Sequence, residues 1–554
     1  MDNTGEEPEL IETQNGSSVF FQGRLLYSKF NPKKNIQCQI EAIKFQPHTL
    51  VVLSAPVLDY GITEILQVLP APSYLLAIQT NDTLYRFSKM RHGEKYFQAF
   101  TTQAQNFSFV YAKTCNEILN IITQLDIHYD FKRLVFINAS SFAASDTDQK
   151  NFFASVKTQL ELYLKKKAIN QLTLITMGHG FAANFFKNLH YLCNSAEKNT
   201  VKSIFELSVH KPILIIAAGT SLDSNMSEII KAREKFFIIA VDAVAAALSK
   251  ICTPDAIVIL ESQIFIASAF IAYSKYHTKK RTRKKPILFA DISSAPQVIK
   301  NFSGQPYFYF TDYAAAKFLR RFYALGYFSE KYTSVGSVGL SAVQIAMSIR
   351  ANQDIPIFIT GLDFSYQVPF THSRYSFQTT HRFSSCQKLN PLFAAESFFG
   401  KTIMQLEQNG KTIYSVQNLF SYRHIFQSLL HSEKNIHLLP SFAHDQTISF
   451  HDALVLATQT PVSPICLERS NNKKTLDDLR NFLSETKHDL DDIRSCLIGT
   501  VHKSNTELLE LLSKNDFLFL HFPDYSPACP GRILEQHFLK RIRIEVEYFL
   551  KFLN

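Results

Sequence analysis

Short uninterrupted apolar runs alternate with helix-patterned stretches through the middle of the chain. The runs Ile213–Ile216, Phe237–Val241, Ala256–Leu260, Ile287–Ala290, Tyr307–Phe310 and Ile355–Thr360 predict strands, with helices between them, notably Tyr313–Tyr327 and Leu340–Ala351. Strands that are apolar on both faces belong to a parallel sheet covered by helices above and below. The expected fold class is α/β, with a central doubly wound, Rossmann-like parallel sheet in a domain spanning residues 201–400.

Nearer the N-terminus, SVFFQGRLLYS, TLVVLSAP, SYLLAIQT, RLVFINAS and QLTLITMG each predict a strand bounded by turn residues, giving an α/β N-terminal domain over residues 19–200. The helical stripe of Phe181–Leu192 leads from it into the central domain. The acidic, polar opening MDNTGEEPELIETQNG predicts a flexible tail over residues 1–18 rather than a signal peptide. Beyond residue 400 the apolar period lengthens. Leu476, Leu479, Leu483, Leu490, Ile493 and Leu497 form one stripe and Ile533–Leu553 carries another, so residues 401–554 read as a mainly helical C-terminal domain. Pro461, Pro464 and the polar stretch SNNKK break this region before the first stripe.

At 554 residues the chain exceeds what one ordinary core holds, and 46% hydrophobic residues with 48 Phe and 23 Tyr exclude a disordered chain. A net charge of +10 favours an anionic partner such as a nucleotide, a polyphosphate or an acidic protein. The basic residues are diluted along the chain, so no nucleic-acid partner is expected. The densest run, Lys279–Lys285 (KKRTRKK), reads as a solvated loop, with a phosphate-facing or partner-facing patch as the alternative. Eight scattered cysteines without a C-x-x-C pair predict reduced thiols in a cytoplasmic protein and no metal site. No apolar run is long enough for a membrane span.

Chemistry-bearing residues gather at the predicted strand ends. Lys211–Asp242 (KPILIIAAGTSLDSNMSEIIKAREKFFIIAVD) reads as strand, small-residue turn, helix and a second strand closed by an acid. That βαβ order presents backbone N–H groups to a phosphate. The turn departs from G-x-G-x-x-G, yet Gly219 permits a tight turn, and Thr220 and Ser221 supply hydroxyls. A purely structural βα turn is the competing reading. Asp242 and Glu261 close neighbouring strands at one sheet edge, where they suit ribose or sugar hydroxyls, with helix capping as the alternative. A second glycine turn, Thr333–Leu340 (TSVGSVGL), sets Gly336 and Ser337 before a helix, as an anion cradle or as a close packing contact. In IPIFITGLDFSYQVPFTHSR, Asp363, Thr371, His372 and Arg374 follow a buried strand, a composition suited to acid–base work and anion binding. Asp363 and His372 are thus the catalytic candidates, and Gly219, Thr220, Ser221, Asp242, Glu261, Gly336 and Ser337 the nucleotide-binding ones. Asp146-Thr147-Asp148 reads as a helix cap, Met177–Gly180 (MGHG) as an interdomain turn, and Asp489, Asp491 and Asp492 as solvent-facing.

Four blocks in order, ILIIAAGTSLDSNMSEI, FIIAVDAVAAALSKICTPDAIVILES, TSVGSVGLSAVQIAMSI and IFITGLDFSYQVPFTHSR, resemble the motility-associated factor (Maf) family of flagellin glycosyltransferases. The central domain of that family is similar to archaeal 6-hydroxymethylpterin diphosphokinase-like proteins. VVLSAPVLDYGITEILQVLPAPSYLLAIQTNDTLYRF and TLITMGHGFAANFFKNL extend the resemblance over most of residues 45–400. Where the family has a G-x-G-P-S-L turn, this chain has Ala217, Gly219, Thr220, Ser221 and Leu222, and Glu261 stands where Asp is common. Asp363, Thr371 and His372 match the family pattern.

The resemblance implies a cytoplasmic protein O-glycosyltransferase with no tightly bound cofactor and no metal. It would transfer a nonulosonic acid, of pseudaminic or legionaminic type, from a CMP-activated donor to Ser or Thr of flagellin, in support of flagellum assembly and motility. Asp363 or His372 would serve as base. Two other functions stay open: a non-catalytic flagellin-binding assembly factor, and pterin or nucleotide pyrophosphoryl transfer. The helical C-terminus suits self-association or flagellin docking.

Overall fold

The computed structural model describes residues 7–90, 106–142, 147–194, 202–263, 266–270, 285–302, 304, 306–314, 316–389, 391, 403–408, 410–459, 467–468, 476–526 and 530–553. Most of the basic run, Asp146, Pro461, Pro464 and the SNNKK stretch lie outside the described residues. The chain forms two compact units, Met1–Thr176 with Phe522–Glu535, and Met177–His521 with Gln536–Asn554. The division between these units falls near residue 176, whereas the sequence pattern placed boundaries near 200 and 400, and Phe522–Glu535 groups with the first unit.

The first unit holds a four-stranded parallel sheet in the spatial order Phe107–Tyr111, Tyr74–Gln79, Thr49–Ser54, Arg133–Asn138. The two inner strands are buried along their whole length, as their unbroken apolar sequences require. Phe107–Tyr111 is an edge strand that the sequence pattern did not predict. The expected tail is partly a hairpin. Glu9–Thr13 pairs antiparallel with Gly16–Phe21, which pairs in turn with Arg24–Leu25. Buried Val19 and Phe21 anchor it to the unit's core.

One predicted strand is wrong. QLTLITMG lies inside a 48-residue helix, Thr147–Asn194, which also absorbs the turn expected at Met177–Gly180. Helical spacing of buried residues decides this, through Phe153, Val156 and Leu160 before it and Ala182, Phe185, Phe186 and Leu189 after it. Among the described residues no strand pairs with the β-favouring residues between them, and Leu172 is 64% exposed.

The second unit is built on a seven-stranded sheet. Its strands are β1 (Ile213–Ile216), β2 (Phe237–Val241), β3 (Ala256–Ile259), β4 (Ile287–Asp291), β5 (Pro306–Tyr309), β6 (Ile357–Thr360) and β7 (Ile436–Leu438). All neighbours are parallel, in the order β5-β4-β3-β2-β1-β6-β7. Strand order therefore reverses between β1 and β6, and a crevice opens at the carboxyl ends of such a pair. The helix Val338–Ile349 packs across β1, β2 and β3. β7, and a hairpin of Ile403–Gln408 with Lys411–Val416, fall where a mainly helical region was expected. The helices Asp477–Leu497, Asn505–Lys514 and Gln536–Leu553 follow the predicted stripes. Among the described residues no helix is long and apolar enough to cross a membrane.

The long helix also fixes the carboxyl edge of the sheet. One turn apart on it, Asn184 donates to the carbonyls of Ser262 (2.9 Å) and Ser293 (3.2 Å), and Asn188 to those of Ile292 (2.8 Å) and Ser294 (2.9 Å). These four bonds hold the loops that follow β3 and β4. Asn188→Ala leaves two carbonyls without their donor and is expected to cost about 1–3 kcal/mol of stability, measurable by chemical denaturation.

Candidate functional site

Beyond Ile216 and Thr360 the β1–β6 ladder would normally end, but it continues as a polar seam. Ala217 N–H donates to the Thr360 carbonyl (2.9 Å), and Gly219 N–H to that of Gly361 (2.6 Å). Gly361 N–H donates to Ser221 Oγ at 3.2 Å. Two glycines make this approach feasible. A Cβ on Gly361, whose φ is +72°, would meet the Ala217 carbonyl, and one on Gly219 would meet the Asp363 carboxylate and the Gly361 carbonyl.

Asp363 closes the seam. It is 2% exposed. Its Oδ2 accepts from Ser221 N–H (2.9 Å), while Oδ1 accepts from the hydroxyls of Ser221 and Ser441, the latter at 3.0 Å. Burial raises the Asp363 pKa, against the opposing pull of these donors. The carboxylate thus sits at the start of the helix Leu222–Lys231, where the amide dipoles favour an anion. The Ser221 donors expected for a ligand phosphate are engaged by the protein's own carboxylate. The Thr220 hydroxyl, by contrast, is buried without a hydrogen-bond partner.

The loop carrying His372 is stapled to the same turn. Ser373 N–H donates to the Ala218 carbonyl (2.8 Å), and Asp223 accepts from the Ser373 hydroxyl and from Arg374 N–H (3.1 Å). Burial, with a smaller contribution from nearby Arg382, lowers the His372 pKa below its ordinary 6.5. The imidazole is therefore neutral at physiological pH, and its Nδ1 lies 3.0 Å from Thr371 Oγ1.

The second glycine turn reaches the crevice from the helix Val338–Ile349. A Cβ on Gly339 would strike Leu362, the residue before Asp363, so the first turn of that helix adjoins the loop after β6. Gly336, at φ +70°, packs against the Tyr422 ring. Ser337 is the N-cap residue but makes no side-chain cap hydrogen bond. The opening amides of a helix have no intrahelical acceptor.

Asp242 and Glu261 occupy the other half of the edge, beyond β2 and β3. Asp242 is 4% exposed and accepts from Ala243 N–H at 2.7 Å. Desolvation, assisted by the charge of Glu261, raises its pKa to about 7. Glu261 accepts from Gln263 N–H (2.8 Å) and remains partly exposed. The sequence reading missed a third acid, Asp291 at the end of β4, which is fully buried with its pKa raised by burial and accepts from Ser293 N–H at 2.8 Å.

Sequence reading also missed Ser441 and His444. Both follow β7, whose half-polar run NIHLL gave no strand signal, and His444 lies 2.9 Å through Nε2 from the Leu362 carbonyl. The structure therefore bonds Gly219, Ser221 and Asp363 into one cluster, with Thr220 in the same turn and His372 on a loop joined to it through Ser373. Gly336 and Ser337 lie beside that cluster, and Asp242 and Glu261 along the same edge. A cavity of about 310 Å³ lies at the opposite, amino edge, lined in part by Arg233, Thr253 and Asp255. Within it Arg233 is paired to Asp255 at 3.0 Å and donates to the Thr253 carbonyl.

Comparison with known proteins agrees with this architecture. Residues 183–369 match the family of 6-hydroxymethylpterin diphosphokinase MptE-like proteins. A protein of Treponema pallidum (strain Nichols), described only as uncharacterized, is 30% identical over 578 residues, an alignment covering 99% of this chain and 95% of its own. Among solved structures, the Maf glycosyltransferase of Magnetospirillum magneticum AMB-1 shares the fold with a TM-score of 0.55 at 12% identity, over 99% of this chain and 91% of its own. The resemblance to the Maf family read from the sequence is thus met by the fold.

Two substitutions test the site's construction. Gly361→Ala forces both a disfavoured φ and a backbone clash and is expected to destabilise by about 2–4 kcal/mol. Asp242→Asn tests the buried acid. The folded-state pKa of about 7 exceeds the ordinary 3.8, so wild-type stability falls as pH rises through that interval. The asparagine variant is expected to gain more in unfolding midpoint at about pH 8 than at about pH 5, because only the acid carries a growing ionisation penalty.

Proposed function

The chain belongs to the same family as its Treponema pallidum relative, and we propose that it is a cytoplasmic glycosyltransferase. The donor is a CMP-activated nonulosonic acid, and the acceptors are Ser or Thr hydroxyls of flagellin, in support of flagellum assembly and motility. The observation that carries this reading is the likeness to a Maf glycosyltransferase along essentially the whole chain, both units included and not the central sheet alone.

The crevice supports the same chemistry. A CMP-sugar carries a single phosphate, which the opening amides of the helix Val338–Ile349, with Ser337 and the Thr220 hydroxyl, are suited to hold. Glu261 and Asp242 suit ribose or sugar hydroxyls. In the transfer step the acceptor oxygen bonds to the anomeric carbon as the bond from that carbon to the phosphate oxygen breaks. CMP departs with the electron pair, and the acceptor's proton passes to His372, which its lowered pKa keeps unprotonated.

The match of residues 183–369 to MptE-like proteins favours one second reading, diphosphoryl transfer to a pterin alcohol. AMP released from ATP only when 6-hydroxymethylpterin is present would select that reading.

For the main reading, flagellin isolated from cells lacking this protein is expected to lose mass in steps of one nonulosonic acid residue. Unchanged flagellin mass would reject it. His372→Ala is expected to lower transfer about 100-fold or more while CMP binding persists. In the wild type, kcat/KM should hold level as pH falls through 6.5 and decline only below it, since the base loses function when protonated and its pKa is depressed.

A further inference from the structure

The sequence reading treats Asp363 as a candidate base, but its surroundings describe another task. Both carboxylate oxygens point at donors, and the side chain is 2% exposed, so neither oxygen faces a substrate. One loop holds it from the far side. The segment after β7 is pinned to the sheet by Leu439 N–H on the Ile359 carbonyl (2.9 Å) and to the helix Leu222–Lys231 by Asn225 Nδ2 on the Pro440 carbonyl (2.9 Å). From that anchored loop Ser441 reaches Asp363 Oδ1, and the Ser441 hydroxyl in turn accepts from Ala443 N–H at 3.1 Å. His444, 7% exposed and packed on Phe426, directs Nε2 to the Leu362 carbonyl. Two successive residues of the β6 loop are therefore fixed by one short stretch of chain.

We infer that Asp363 is a positioning residue, an internal clamp seated where a ligand oxygen would otherwise meet the Ser221 turn, and that Ser441 and His444 are the positioning residues that hold it there. This rests on the reading of the crevice as a nucleotide site. The donor set makes the distinction testable. Ser221 N–H can only donate, whereas the two serine hydroxyls can donate or accept. Asparagine at position 363 can accept from the amide through Oδ1 and donate to both hydroxyls through Nδ2. Alanine can do neither and leaves a buried N–H without a partner.

The experiment compares Asp363→Asn, Asp363→Ala, Ser441→Ala, His444→Gln and His444→Ala in the full chain, by thermal unfolding and by calorimetric titration with CMP. A clamp predicts that Asp363→Asn rescues what Asp363→Ala loses. The asparagine variant should bind CMP within about threefold of wild type and the alanine variant about tenfold or more weakly, matching the loss of hydrogen bonds at a buried charged group. Ser441→Ala should fall between them, and His444→Gln, which keeps a donor, should stay closer to wild type than His444→Ala. An asparagine variant that melts like wild type yet binds CMP as poorly as the alanine variant would overturn the inference, because the negative charge itself would then be required. If Asp363→Ala does not fold, Asp363→Asn against Ser441→Ala carries the same comparison. If wild type binds no CMP, the nucleotide reading fails by itself, and the unfolding data still decide the clamp: equal loss of stability in Asp363→Asn and Asp363→Ala overturns it.

Discussion

The site depends on one interaction, the Asp363 carboxylate at the head of the helix Leu222–Lys231. At the point where strand order reverses, two parallel strands end side by side and their loops must part to leave room for a ligand. Here the loops stay joined for a few residues longer, through Gly219, Gly361 and the paired donors of Ser221. The join is buried, so leaving its backbone groups unpaired would be costly, and the carboxylate supplies partners for the amide and the hydroxyl of Ser221 together. The two glycines follow from the same closeness, since a methyl group at either position would occupy space held by backbone or carboxylate oxygens.

That arrangement divides the carboxyl edge by charge. Near the β1–β6 junction the helix starts favour negative charge, although the first is engaged by Asp363 and the neighbouring Arg374 lies 3.6 Å from the Asp223 carboxylate. Farther along, Asp242, Glu261 and Asp291 make an acidic stretch in which burial favours the protonated form of Asp242 and Asp291. The nucleotide-sugar proposed as donor has the matching division, an anionic phosphate and hydroxyl-rich rings. The side-chain amides of Asn184 and Asn188 keep the acidic half in place, so both halves are fixed by hydrogen bonds to loop backbone rather than by apolar packing alone.

Much of this was legible in the sequence, and the reasons are physical. β1 to β6 announce themselves because strands buried on both faces must be apolar throughout, and Gly219 and Gly361 are conspicuous because they follow such strands. β7 escaped because an edge strand only three residues long and containing His437 carries little pattern. Ser441 and His444 acquire meaning only once β7 is placed beside β6, a pairing across nearly eighty residues of chain that no local signal encodes. QLTLITMG misled because its local preference was for strand, while the helix around it was set by buried residues on either side. The role of Asp363 was hidden for a similar reason. A carboxylate after a buried strand reads the same whether its oxygens face a ligand or a neighbouring turn, and only the position of Ser221 distinguishes the two.

The most direct test of the account is a crystal structure of the protein with CMP. The account predicts the phosphate at the opening amides of the helix Val338–Ile349, with the cytidine along the edge toward Glu261 and Asp363 still bonded to Ser221 and Ser441. A phosphate bound in the Gly219–Ser221 turn with Asp363 displaced, or CMP bound away from the β1–β6 crevice, would contradict it.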